Sequence, residues 1–200
     1  MKNLIVIPCC ARKIKGGKEK SIYRTTFFED NNLVKDLIDK RRSRINELDY
    51  LISNKNELLP AWERYDGTIY RNLKKHQDLI NKLIKNELLD IVIVSAFYGV
   101  INYNTVINDY DLSMNQRRSV SYWAENSLLS KSLYEYGNFC GIKNIYTFLS
   151  PNTYYKSLGK NILIHTQTWP LGLRGVNNIN NEVAKLIFER LNLIAKENNL

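Results

Sequence analysis

Ile91-Val92-Ile93-Val94-Ser95-Ala96-Phe97-Tyr98-Gly99 is a short β-branched run that ends in small and polar residues. The pattern occurs three more times. Leu4-Ile5-Val6-Ile7 runs into Pro8-Cys9-Cys10-Ala11-Arg12-Lys13, and Ile145-Tyr146-Thr147-Phe148-Leu149 runs into Ser150-Pro151-Asn152-Thr153-Tyr154-Tyr155-Lys156. Ile162-Leu163-Ile164 runs into His165-Thr166-Gln167-Thr168-Trp169-Pro170. Unbroken apolar runs of this length, separated by helical stretches, read as strands buried on both faces of a parallel sheet. The expected fold is therefore α/β, with a mostly parallel central sheet flanked by helices. Its strands should lie at about 3–8, 90–95, 144–150 and 161–166. Ligands of such sheets bind beyond the carboxyl ends of the strands, so the polar clusters should converge on one mouth.

Between the strands, apolar residues recur at helical spacing. Leu33, Leu37, Ile38, Ile45, Leu48, Leu51 and Ile52 predict one or two amphipathic helices between Asn31 and Leu58. Tyr70 to Leu89, residues 117–138 and Val176 to Asn198 read as further helices, with a short one starting at Asn152. Ile14 to Lys20, with Gly16-Gly17, reads as a loop that moves or closes over a ligand. Val100 to Met114 has no clean period and reads as an ordered loop, a feature that is often functional.

At 200 residues the chain is most simply one domain spanning 1–200. No apolar run approaches the roughly 18 residues of a membrane helix. The run Leu4 to Ile7 is too short for a secretory h-region of about 7–15 residues. A cytoplasmic protein without a membrane partner is expected. The net charge of +9 is concentrated: residues 1–44 hold twelve basic and five acidic side chains. A localised positive field favours phosphate backbones, although a solvated helix face has the same composition. Three cysteines, two of them adjacent, and two histidines give neither a disulfide framework nor a closed zinc site, so no metal and no cofactor are expected.

A chain of short motifs resembles the YaaA family of bacterial peroxide-stress proteins. Pro60-Ala61 followed by Tyr65-Asp66-Gly67-Thr68-Ile69-Tyr70 is similar to the family's aromatic G-x-x-Y element. Val94 to Val100, then Ile107-Asn108-Asp109-Tyr110-Asp111-Leu112-Ser113-Met114, resemble its LSGLYG and PYRLEM core. Trp123, Ser150-x-x-x-Tyr154-Tyr155-Lys156-Ser157 and Arg174-Gly175 resemble later elements, in order. The chain departs from the family at Pro8 to Lys13, where a Ser-Pro-Ala-Lys-like turn is usual, and at Asp111, where Arg is usual. It is also shorter after Ser150. The resemblance implies a compact α/β fold, DNA binding and a role in limiting oxidative damage to DNA.

Candidate site residues follow from strand ends and charge. Arg12, Lys13, Lys156 and Arg174 would form an anion pocket for a nucleotide phosphate or DNA backbone, with Arg41, Arg42 and Arg44 adding backbone contacts. Singly, each is an ordinary surface cation. Tyr70 and Tyr98 either stack on a base or pack in the core, and Gly99 suits a left-handed turn. Tyr110, Ser150 and Tyr155 complete the expected pocket. Asp109 is a candidate for activating water or stabilising a sugar cation, or else an Asx turn. Ser95 is a second catalytic candidate, although no G-x-S-x-G elbow surrounds it. Cys9 and Cys10, beside Arg12 and Lys13, are either low-pKa, redox-sensitive thiols or buried structural ones. Two functions emerge. One is DNA binding to duplex, bulged or single-stranded DNA, with a nucleotide in the mouth. The other is an enzyme cleaving a glycosidic bond in a nucleotide, nucleoside or modified base.

Overall fold

The computed structural model describes residues 1–17, 26–159, 166–170 and 175–200. The first strand, β1 (Lys2–Pro8), leads to α1 (Phe27–Asp30) and α2 (Lys35–Glu47). Next come β2 (Leu58–Pro60), α3 (Ala61–Arg64), α4 (Thr68–Lys74), α5 (Gln77–Lys85) and β3 (Leu89–Ser95). Two short strands follow, β4 (Gly99–Asn102) and β5 (Val106–Asn108), then α6 (Ser119–Ala124) and α7 (Leu128–Phe139). β6 (Ile142–Thr147), a π-helical turn at Pro151–Tyr155, β7 (Thr166–Gln167) and α8 (Val176–Glu197) complete the order.

The main sheet has the order β4-β3-β1-β6-β7. β1 pairs in parallel with β3 and β6, and β6 with β7, while β4 lies antiparallel on the edge. Leu4 to Ile7 and Ile91 to Val94 are at most 2% exposed. Successive residues of a strand point to opposite faces, so burial of all of them means that both faces are covered. α4 and α5 pack with α8, and α2 and α6 with α7. From β1 the chain goes to β3 on one side, and from β6 it goes to β7 on the other. The switch point of the sheet therefore lies between β1 and β6.

The structure changes three expectations. The segment expected as a loop from Val100 carries β4, paired with β3, and β5, paired with β2. An antiparallel return needs only a tight turn, which the unpatterned sequence concealed. The helix expected over 117–138 breaks, because Asn126 and Ser127 adopt left-handed φ of 53° and 55°. Gly159 packs against this break; a Cβ there would come 2.7 Å from Ala124 O and from Ser127 Cα. The helix expected from Tyr70 divides into α4 and α5 before His76, whose ring stacks on Phe188 at 3.7 Å. Of the fourth strand, residues 161–165 lie outside the described residues, and Thr166 and Gln167 pair with Tyr146 and Thr147. Residues 18–20 of the glycine-lysine loop also lie outside them.

Candidate functional site

Beyond the carboxyl ends of β1 and β6 lies a cleft of about 410 Å³. Its position is the switch point, where open α/β sheets hold ligands. Pro8 to Ala11 continue β1 along it, and Ser150 and Tyr154 enter from the segment after β6. The start of α4, the start of α8, Ser113, Asn115 and Trp169 supply the remaining walls.

Three elements fix the end of β1. Cys9 N donates to Val94 O at 3.0 Å, which carries the ladder one residue past the strand. The Tyr70 hydroxyl donates to Pro8 O at 2.9 Å, and the Tyr154 hydroxyl donates to Cys9 O at 3.1 Å. Tyr154 Oη also lies 3.3 Å from Cys9 Sγ. Gly67 N donates to Cys10 Sγ at 3.2 Å, and Cys10 Sγ donates to Arg12 O at 3.0 Å. Glycine is required at position 67, since a Cβ would come 2.7 Å from Cys10 Cβ. Burial, followed by the neighbouring Cys9, pushes the Cys10 thiol up to about 12. Cys10 is therefore a protonated thiol at neutral pH, which excludes for it the low-pKa alternative of the two; Cys9 is buried.

The end of β3 is built differently. Ser95 is 0% exposed, and its Oγ accepts from Phe97 N at 3.2 Å and Tyr98 N at 3.1 Å. It shares a further hydrogen bond of 2.9 Å with the Tyr110 hydroxyl, which in turn meets the Tyr65 hydroxyl at 2.7 Å. Gly99 closes the turn with φ +70°, and a Cβ there would come 2.8 Å from the Trp123 ring. Ser95 is thus a turn clamp rather than an accessible nucleophile. Tyr70, Tyr98 and Tyr110 are buried, so their rings pack in the core and offer no face to a base, although Tyr70 borders the cleft. Tyr98 accepts from Asn108 N at 3.2 Å, and burial holds its phenol at about 12. Asp109 is half-buried, does not line the cleft, and offers its backbone carbonyl to Ser53 N at 3.0 Å.

The expected cationic cluster divides. Arg41 is buried, and its guanidinium donates to Tyr98 O, Phe28 O and Val100 O, each at 2.7 Å. Burial lowers its pKa to about 10. Arg44 is also buried; it donates to Arg117 O at 2.9 Å and Ser119 Oγ at 3.0 Å, with its guanidinium 4.4 Å from the Tyr122 ring centre. Both tie backbone segments together and are not surface contacts for phosphate. Their helical spacing looked like a charged face because sequence does not show the carbonyls waiting inside. Arg64, a third internal arginine, donates to Ile14 O at 2.5 Å and Glu57 O at 2.8 Å. Arg42 faces solvent.

Lys13 does not point into the cleft. Its ammonium lies 4.0 Å above the centre of the Tyr110 ring, and burial lowers its pKa. Arg12 is exposed and paired with Asp66 at 2.8 Å. Lys156 is exposed but outside the cleft lining, Tyr155 is half-buried on the π-helical turn, and Arg174 lies outside the described residues. The Ser150 hydroxyl reaches the cleft and bonds to Thr153. Among the described residues, no charged side chain lines the cleft. Thr68, Ser113, Asn115 and Asn180 line it and were not singled out from sequence; Thr68 and Ser113 sit within the family-like motifs, and Asn180 is a polar residue on the helix face that carries Val183, Ala184 and Ile187. Among the described residues no cluster of metal-ligating side chains forms, and no helix is long and apolar enough to cross a membrane.

No curated protein matches the sequence. The family model of the peroxide stress protein YaaA matches residues 29–167. That span runs from α1 through β3 and β6 to β7, and includes the β3 turn and the Ser150 segment at the cleft. On this match over most of its length, the chain belongs to the family of the peroxide stress protein YaaA, consistent with a role in oxidative stress.

Proposed function

We propose that this chain binds DNA during peroxide stress and receives an unpaired or extruded nucleotide in the cleft between β1 and β6. The observation that carries this reading is the cleft itself, a recess of about 410 Å³ at the switch point of a parallel sheet, in a chain of net charge +9. Extruding a nucleotide joins two requirements: cations that track the backbone and a recess that holds the displaced unit. Arg12 and Lys156 are exposed cations on the segments that leave β1 and follow β6, the two strands that border the cleft. Arg42 adds exposed charge from α2.

The test is fluorescence anisotropy with labelled duplex, bulged and single-stranded DNA at several salt concentrations. Binding should weaken steeply with salt. Lys156→Ala should lower both affinity and the salt slope, which drops by roughly one for each phosphate no longer neutralised. Absence of binding to all three DNAs at low salt rules the reading out.

A further inference from the structure

We infer that the cleft recognises an uncharged nucleobase or nucleoside through neutral side chains, with Asn115 and Asn180 reading the base edge and Trp169 flanking its ring. This rests on the reading that a nucleotide enters here, and names which part of it the cleft takes. The inference starts from spare hydrogen-bonding capacity. Thr68, Ser113, Asn115, Asn180 and Trp169 all line the cleft, and none of their side-chain polar atoms makes a hydrogen bond among the described residues. Their neighbours are not idle: the Tyr70, Ser150 and Tyr154 hydroxyls are all engaged.

The unengaged groups form a particular set. Each carboxamide offers two donors and an oxygen acceptor, each hydroxyl can do either, and the indole adds one donor. A mixed donor and acceptor set beside an aromatic side chain matches a heterocycle, whose edge alternates donors and acceptors around an apolar ring. A phosphate, which only accepts, would leave the carboxamide oxygens unused. The volume lies within the roughly 300–1,000 Å³ of small-molecule sites. The groups also come from four separate parts of the chain: the start of α4, the segment after β5, the residue pair after β7 and the start of α8. Convergence of this kind gives a ligand contacts on several sides.

Isothermal titration calorimetry on the intact protein tests this with adenosine, guanosine, cytidine and thymidine, each against its 5′-monophosphate, and with inorganic phosphate as competitor. At least one nucleoside should bind, with its monophosphate within about threefold of it at ~0.15 M salt. Asn180→Ala should weaken that nucleoside about tenfold. Asn180 is partly exposed on a helix, where alanine is well tolerated, and Trp169→Ala provides a second variant with the same expected direction. Binding of monophosphates alone, displacement by inorganic phosphate, or no nucleoside binding at millimolar concentration would each overturn the inference. DNA binding measured in parallel separates the two ideas. DNA bound without nucleosides removes this inference and keeps the proposed function, and nucleosides bound without DNA does the reverse.

Discussion

The carboxyl ends of β1 and β3 carry similar residues in different surroundings. Both strands are buried on both faces and pass into small, hydroxyl-bearing or thiol-bearing residues. After β3 the chain turns at once into β4, and Ser95 spends its oxygen on two backbone amides and a tyrosine. After β1 the chain runs on through Cys9 and Cys10 toward Lys13, which bridges to Tyr65, and the cleft opens beside it. The difference follows from topology. The polar groups of both ends are engaged, but a strand end closed by its own antiparallel return leaves no recess, whereas one at the switch point faces a gap between diverging connections. A strand-end motif thus marks a site only where the sheet order leaves room.

Substitutions on each side test how far this contrast holds. Arg41→Ala has the largest expected effect, because it strips donors from two carbonyls around the β3 turn and a third in α1. Leaving three buried carbonyls short of a charged donor should cost about 3–5 kcal/mol, measured by urea unfolding. Ser95→Ala keeps the fold and loses the clamp at a cost of about 1–3 kcal/mol, with the turn amides left unsatisfied. A variant as stable as the parent would show that the β3 end is not held by this oxygen.

On the β1 side, Cys10 gives a pH signature. Its folded-state pKa, at about 12, lies above the ordinary value of 9.0. The folded protein therefore holds the thiol proton more tightly, and this stabilisation is complete below about pH 9 and lost as pH rises toward 12. The fall in urea midpoint between about pH 8 and 10.5 should be smaller in Cys10→Ala than in the parent. Equal falls would mean that the thiol is less enclosed than the structure has it. The smallest effect on stability belongs to Thr68→Val. Its unengaged hydroxyl contributes little to folding, so the change should stay within about 0.5 kcal/mol. Any loss should show in ligand binding instead.

The parallel strands were legible because burial on both faces leaves unbroken β-branched runs, and the cleft's Cys9, Cys10 and Ser150 follow from those strand ends. β4 and β5 were not legible, since Asn102 to Val106 carries no turn dipeptide and each strand is four residues or fewer. Arg41 and Arg44 were misread for a related reason. Sequence gives the side of a helix but not what packs there, and here the partners are backbone carbonyls and hydroxyls contributed from far along the chain. Asn180 was missed although it lies on the buried stripe of α8, three, four and seven residues before Val183, Ala184 and Ile187, because sequence does not show that this end of the stripe borders the cleft.

The Arg41 contacts also bear on the cost of folding. Its donors reach Tyr98 O and Val100 O across 57 and 59 residues of chain. The entropy of closing so long a loop must be met before any of these bonds contributes, and contacts of this separation slow folding. Until α2 docks, the β3–β4 turn keeps two carbonyls without their final donors. Arg41 thus fastens α2 to the edge of the sheet at two points, Tyr98 O and Val100 O.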